Sequence, residues 1–330
     1  MGDSVSYLKL GMVNPLPDKL LLDFASKVDT LYVIEELDDI FETHLKKLGI
    51  KAIGKEKFSF LGEFTQKTIR EVLKNEKLPS LKVDFDIPAR PPVLCPGCPH
   101  RGLFYALSKY KPYVSGDIGC YTLGNAMPLD MVDTCLCMGA GITMAQGFHW
   151  TDPDAVQFAF VGDSTFFASG MTGVVNAVYN EANMILCVLD NSTTAMTGHQ
   201  PHPGTGRTLM GDLVEKVSIQ KVLEGMGVKT IRTVNPFDLE QSIQTIQECM
   251  ELPGVKAILF CAPCIALCKP AGKMKISDRC IQCKKCIREI GCPAIAIQNG
   301  AVQIDSSLCT GCGLCSKVCP ISAIGGNEHE

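Results

Sequence analysis

The sequence predicts an α/β protein in three parts: a parallel-sheet domain with a small α/β unit before it and a short cysteine-dense unit after it. Three observations carry this. AVQFAFVGD and MILCVLDN are short, fully apolar runs, the pattern of parallel strands buried on both faces. Between them ASGMTGVVNAVYNEAN has its apolar residues at helical spacing, which makes a βαβ unit. Finally, eight of the 18 cysteines fall between Cys280 and Cys319, in two similar copies.

Taken in order, residues 1–77 alternate short apolar runs (YLKLGMV, LYVIEEL, IKAIG) with charged helical stretches such as DKLLLDFASKV and EFTQKTIREVLKN, and form the small α/β domain. Residues 78–92, LPSLKVDFDIPARPP, carry four prolines and read as an extended linker. Residues 93–268 hold the βαβ unit and form the parallel-sheet domain, and residues 269–330 form the cysteine-dense unit. An apolar fraction of 46% supports a proper core. A net charge of −4 gives no basic footprint, so no nucleic-acid partner is expected. The richest apolar stretch, TCLCMGAGITMAQGF, is cut by three glycines and Gln146, so no membrane span is expected either. MGDSVSYLKL lacks the pattern of a signal peptide. Many thiols without such a signal point to metal binding rather than disulfides, and to a cytoplasmic location.

The first copy in the tail is CIQCKKCIREIGCPAI, with Cys280, Cys283, Cys286 and Cys292; the second is CTGCGLCSKVCPISAI, with Cys309, Cys312, Cys315 and Cys319. The second matches the bacterial ferredoxin spacing C-x2-C-x2-C-x3-C-P, in which the fourth cysteine serves the other cluster. The expected assignment is crossed: Cys280, Cys283 and Cys286 with Cys319, and Cys309, Cys312 and Cys315 with Cys292. Thiolates also select zinc, but a zinc module does not require two such triplets each closed by Cys-Pro. The reading is two [4Fe–4S] clusters. The first copy has five residues before its last cysteine instead of three, which lengthens a loop without removing a ligand.

Asp163, in FVGDSTFFASG, is a carboxylate at the end of a buried strand, and Asn191 ends the next strand 28 positions later. Parallel strands end on the same sheet edge, where open α/β sheets bind ligands. Two oxygen ligands and a loop carbonyl there suit Mg2+, which also takes phosphate oxygens, and the helix after Ser164 would turn its N-terminus to the same anion. An Asp that merely caps its helix is the plain alternative.

These residues carry a resemblance. GDSTFFASGMTGVVNAVYNEANMILCVLDN resembles the Mg–diphosphate motif of thiamine diphosphate enzymes, with Ser164 departing from the usual third residue, a Gly. CPGCPHRG, GDIGCYTLG, MTGHQPHPG, the tail, GMVNPLP and VIEELDD together resemble the large subunit of indolepyruvate:ferredoxin oxidoreductases over essentially the whole chain. The resemblance implies a thiamine-diphosphate-binding parallel-sheet domain and a C-terminal two-cluster ferredoxin-like (α+β) domain. Asp163 and Asn191 would be Mg2+ ligands with the Thr193 carbonyl, Gly162 and Ser164 would line the diphosphate, and Met138 and Gly139 would lie under the cofactor; Met138 read alone is a core residue. The implied reaction is ferredoxin-linked oxidative decarboxylation of aryl pyruvates to acyl-CoA and CO2. Another 2-oxoacid, or a non-catalytic electron-transfer subunit, is the alternative.

By the same resemblance Cys95, Cys98, Cys120 and Cys264 would hold a third [4Fe–4S] cluster, the alternative being buried thiols. Cys135, Cys137 and Cys187 lie in apolar runs and are expected in the packing. His199 and His202 follow the Mg2+ motif and are the catalytic candidates; His100 and His149 carry less signal, and Glu35 and Glu36 read as a structural pair. The family's large subunit carries a pyrimidine-binding domain, with its activating Glu, ahead of the region matched by residues 1–77. Either a partner chain carries that domain or these residues are a fragment of a longer protein; the other expected partners are the smaller second subunit, external ferredoxin, the 2-oxoacid and coenzyme A.

Overall fold

The computed structural model describes residues 5–80 and 84–326. The chain forms two compact units, Met1–Ala89 and Arg90–Glu330. Among the described residues the first holds three helices, α1 (Asp18–Ala25), α2 (Ile40–Lys47) and α3 (Gln66–Lys74). Its extended segments meet in one parallel bridge, Tyr32 to Ile53, over a core built on Leu21, Val33 and Leu45. Glu35 closes the start of α2 by accepting the Phe41 and Glu42 N–H groups at 2.7 and 3.0 Å, and Glu36 accepts that of Phe64. Both glutamates are thus structural.

The second unit is built on a five-stranded, all-parallel sheet: β1 (Val114–Ser115), β2 (Gln157–Gly162), β3 (Met184–Asp190), β4 (Thr230–Val234) and β5 (Val255–Cys261), in the order β1-β2-β3-β5-β4. Alternation along the strands sorts the side chains into two cores. Phe158, Phe160, Ile185 and Ile258 face α4 (His100–Leu107) and α9 (Leu239–Met250). Ala159, Val161, Leu186 and Ala257 face α5 (Ala140–Thr151), α7 (Met171–Tyr179) and α8 (Ile219–Gly225). Covering both faces is what lets β2 be apolar from Phe158 on and β3 be apolar up to Leu189. After β2 the chain enters α6 (Asp163–Thr165) and passes through a π-helical turn, Phe166–Gly170, into α7.

The tail pairs β6 (Met274–Ile276) with β9 (Ile324–Gly326), and β7 (Ile295–Gln298) with β8 (Ala301–Ile304). Asn299 and Gly300, both at positive φ, make the tight turn of the second hairpin. Each cysteine triplet leads into a short helix, α10 (Lys285–Ile290) or α11 (Leu314–Lys317), and the two helices pack together. Among the described residues no helix is long and apolar enough to cross a membrane.

Candidate functional site: one sheet edge and its cysteines

The strand register brings the chemistry to one edge. Gly162 pairs with Leu189 and Asp190 with Cys261, so the chain leaves β2 at Asp163 beside Asp190 and Asn191 at the end of β3. Asp163 is 3% exposed. Its Oδ1 accepts only the neighbouring Ser164 N–H, at 2.8 Å. Its Oδ2 lies 3.1 Å from His202 Nε2, but the two are not aligned for a hydrogen bond, and both atoms are buried without a partner. Burial and the adjoining Asp163 carboxyl push Asp190 above the usual carboxylate range. Burial, with Asp190 beside it, pushes the Cys261 thiol up to about 12.

A buried carboxyl group with an orphaned oxygen, next to the half-buried Asp190 carboxyl, has the chemistry of a cation site. Asn191 and Thr193 are buried at the same edge, and the Asn191 Oδ1 accepts the Thr193 N–H at 3.2 Å. A carboxylate, an amide oxygen and a main-chain carbonyl are the hard oxygen donors that Mg2+ takes, so the residues present fit the ion. Among the described residues no group of three or more His, Cys, Asp or Glu is arranged to hold a metal ion; the oxygen set at Asp163 contains only one of those types.

A second layer holds this edge in place, marked in the sequence only by a Gly-Asp pair after β1. Asp117 is fully buried. Its Oδ1 accepts the Gly139 N–H at 2.7 Å, and its Oδ2 accepts the Tyr121 hydroxyl at 2.7 Å. Tyr121 Oη in turn accepts the Gly162 N–H at 2.8 Å. One carboxylate therefore fixes both the start of α5 and the turn into Asp163. Burial and the Asp117 charge raise the Tyr121 hydroxyl well above its ordinary value, which keeps it a donor. Gly139, at positive φ, and Gly141 let α5 begin close against the sheet; a Cβ on Gly141 would run into the carbonyl oxygens of Gly116 and Ser115.

Met138, just before α5, is 46% exposed at this edge, its carbonyl accepting the Ser169 hydroxyl. Ser164 Oγ accepts from Thr194 Oγ1 at 2.9 Å. His202 is buried, and its Nδ1 accepts the Gly204 N–H at 3.2 Å, which leaves the proton of the neutral ring on Nε2 toward Asp163. His199 is exposed, at φ +61°, in the turn closed by the Thr194–Gln200 bridge. His100 packs edge-on to Tyr121, and burial pushes it down to about 4.

Of the remaining thiols, Cys98 is pushed up to about 12 by burial, with Cys120 and Cys95 adding to it, and Cys120 is raised by burial, then by Cys264 and Cys95. The four thiols are close enough to feel one another's charge. In the tail Cys292, Cys309, Cys312 and Cys315 line one cavity, which also receives Thr310 and Arg101. In the first copy the Cys286 thiol is raised by burial, with Cys283 and Cys280 adding to it. The donors are sulfurs of the type that select iron–sulfur clusters. Cys187 is buried as expected, whereas Cys135 and Cys137 are exposed. Their segment runs out along the sheet edge from the Ser115–Thr134 bridge to the start of α5, so its apolar composition does not place it in the core.

Residues 117–259 match the thiamine pyrophosphate enzyme C-terminal TPP-binding domain, and residues 302–325 match the 4Fe-4S binding domain. The fold and its sheet edge thus define a thiamine pyrophosphate enzyme domain joined to an iron–sulfur tail. The chain is 35% identical to the indolepyruvate oxidoreductase subunit IorA of Archaeoglobus fulgidus, over 97% of this chain and 56% of that protein. It is 34% identical to the IorA subunit of Pyrococcus horikoshii over the same shares. The chain is thus similar to these subunits along nearly its whole length and spans about half the length of the curated relatives it matches. Among solved structures, a 2-oxoglutarate:ferredoxin oxidoreductase from Magnetococcus marinus is similar over 53% of this chain and 65% of that one, with a TM-score of 0.48 and 20% identity.

Proposed function

We propose that this chain is the diphosphate-binding and electron-exporting part of a thiamine-diphosphate-dependent, ferredoxin-linked oxidoreductase that converts aryl pyruvates such as indolepyruvate to acyl-CoA and CO2. The observation that carries the reading is the buried, unpartnered Asp163 Oδ2 beside Asn191 at the edge where β2 and β3 end. Bound thiamine diphosphate supplies the carbon nucleophile for 2-oxoacid decarboxylation, and iron–sulfur clusters accept the resulting electrons singly. The chain's own residues bind and orient. Asp163, Asn191 and the Thr193 carbonyl would hold Mg2+, and through it the diphosphate. Gly162 and Ser164 would border the diphosphate, Ser164 with its Oγ fixed by Thr194. Met138 and Gly139 would support the cofactor from below. His202 Nε2 carries the proton nearest the metal-binding carboxylate, and His199 stands in the exposed turn where a substrate carboxylate would arrive.

Cys280, Cys283, Cys286 and Cys319 would hold one [4Fe–4S] cluster, and Cys309, Cys312, Cys315 and Cys292 a second; the shared cavity of the latter four supports that grouping. Cys95, Cys98, Cys120 and Cys264 would hold a third. The pyrimidine half of the cofactor site and its activating Glu would come from outside these 330 residues, with the smaller subunit, external ferredoxin and coenzyme A completing the reaction. The preference for aryl substrates rests on the indolepyruvate relatives alone.

Calorimetric titration of thiamine diphosphate with Mg2+ into the chain, with partner subunits supplied, tests the reading. Binding that Asp163→Ala abolishes is expected. No binding by the parent refutes it and leaves an electron carrier. Iron and sulfide analysis is expected to give about eight irons per chain for two clusters or about twelve for three. Faster ferredoxin reduction by the assembled complex with pyruvate than with aryl pyruvates would overturn the substrate class.

A further inference from the structure

Arg101 is 1% exposed, the largest of the fully buried side chains. Its guanidinium donates from Nη1 to the carbonyl oxygens of Ile290, at 2.8 Å, and Gly291, at 2.6 Å, from Nη2 to that of Leu94, and from Nε to that of Cys95, at 3.4 Å. Every one of these acceptors is a neutral main-chain oxygen. Among the described residues no carboxylate stands within ion-pair distance of it. A buried, fully desolvated cation without a counter-ion is costly, and hydrogen bonds to carbonyls satisfy its donors without neutralising its charge.

The charges placed to neutralise it are thiolates. Arg101 lines the cavity bounded by Cys292, Cys309, Cys312 and Cys315. Its carbonyl partners lie next to ligand candidates on both sides: Gly291 precedes Cys292, and Leu94 precedes Cys95. The thiols of Cys292, Cys98, Cys312 and Cys95 all support its positive charge against the effect of burial. A cubane held by four thiolates is anionic and gains one more negative charge on reduction. A fixed cation beside it therefore favours the reduced form and raises the potential, because cluster potentials respond to net charge, hydrogen bonding and burial.

We propose that Arg101 is a positioning residue for electron export, whose unpaired buried charge is balanced by the Cys292–Cys309–Cys312–Cys315 cluster and sets that cluster's reduction potential, while its fork ties the Cys95–Cys98 loop to the tail. This rests on the cluster reading above. Arg101 serves through charge rather than by ligating, and the two tail clusters are thereby made unequal: the one nearer the parallel sheet is the easier to reduce.

The test uses the full chain with its clusters assembled anaerobically, followed by EPR-monitored redox titration of the parent, Arg101→Gln and Arg101→Lys. Iron and sulfide analysis of the parent comes first; a parent without iron refutes the cluster reading and separates that failure from failure of the charge argument. With clusters present, Arg101→Gln is expected to weaken reduction of one cluster at least tenfold, which is about 59 mV for a one-electron couple, and to leave the other less changed. Arg101→Lys, which keeps the charge and loses the fork, is expected to keep the parental potential. An unmoved potential in Arg101→Gln overturns the proposal. If Arg101→Gln loses its iron, Arg101→Lys decides: full iron at the parental potential supports the charge role. Loss of iron, or an equally large shift, in Arg101→Lys overturns it by making the carbonyl clamp the whole function.

Discussion

Tyr121→Phe removes one oxygen atom and tests the second layer directly. In the parent that oxygen donates to Asp117 Oδ2 and accepts from the Gly162 N–H, at 2.7 and 2.8 Å. Both partners are buried, and the phenyl ring fills the same volume, so no cavity term enters. A buried amide left without an acceptor costs about 1–3 kcal/mol, and a hydrogen bond to a charged group contributes about 1.5–3 kcal/mol. With partial relaxation the expected loss is about 3 kcal/mol. At about 2–4 °C per kcal/mol for a unit of this size, the melting temperature falls by about 6–12 °C. The Gly162 amide belongs to the turn that presents Asp163, so the affinity for Mg2+ and thiamine diphosphate falls in the same variant. Anaerobic differential scanning calorimetry with and without the cofactor pair reads both effects. An unchanged melting temperature would refute the argument that Tyr121 holds the turn, and a fall in stability with unchanged cofactor affinity would show that the turn keeps its shape without it.

Lys256 is fully buried, bonded to Asn183 Oδ1 at 2.6 Å, and burial pushes it down to about 8. Its native pKa thus lies below the ordinary 10.5. Below pH 8 both states hold the proton and the native state carries the full penalty, about 3 kcal/mol. Between the two values stability rises with pH. Lys256→Met is expected to stabilise the chain at pH 7 by up to about 3 kcal/mol, with the gain fading as pH rises through 8 toward 10.5 in melts across that range; a destabilised variant at pH 7 contradicts this. Gly102→Ala drives a Cβ from α4 into the Pro236 carbonyl and is expected to cost about 1–3 kcal/mol in a thermal melt. Cys312→Ser removes one wall of the Arg101 cavity and is expected to lower the iron content of the chain by about four per molecule while leaving thiamine diphosphate binding intact.

What was legible in the sequence was local. The βαβ unit declared itself because β2 and β3 are covered on both faces and so are apolar through their middles. The tail declared itself because cluster ligation needs thiolates at short fixed spacing. Asp117 and Tyr121 were hidden because β1 has only two residues and offers no run to mark its end. Nothing near Arg101 in CPGCPHRG signals its role, since the carbonyl that gives it meaning lies 189 residues away. Cys135 and Cys137 were misread because apolar composition without a period does not say which way a segment faces, and theirs lies along an open edge.

The tail is locked to the parallel-sheet domain at several points. Besides the Arg101 fork, Lys317 donates to the Phe237 carbonyl at 2.7 Å, Lys109 pairs with Glu289 at 3.5 Å, and α10 packs on α4. In the electron-exporting role proposed above, a tail so fastened would not swing between stations as a tethered domain does. Under the proposed function, transfer from the sheet edge to the tail would then be a first-order event at a fixed separation, indifferent to protein concentration and to added salt. Only the hand-off beyond the tail would be a collision between molecules, and that step alone would carry the ionic-strength dependence of the whole sequence.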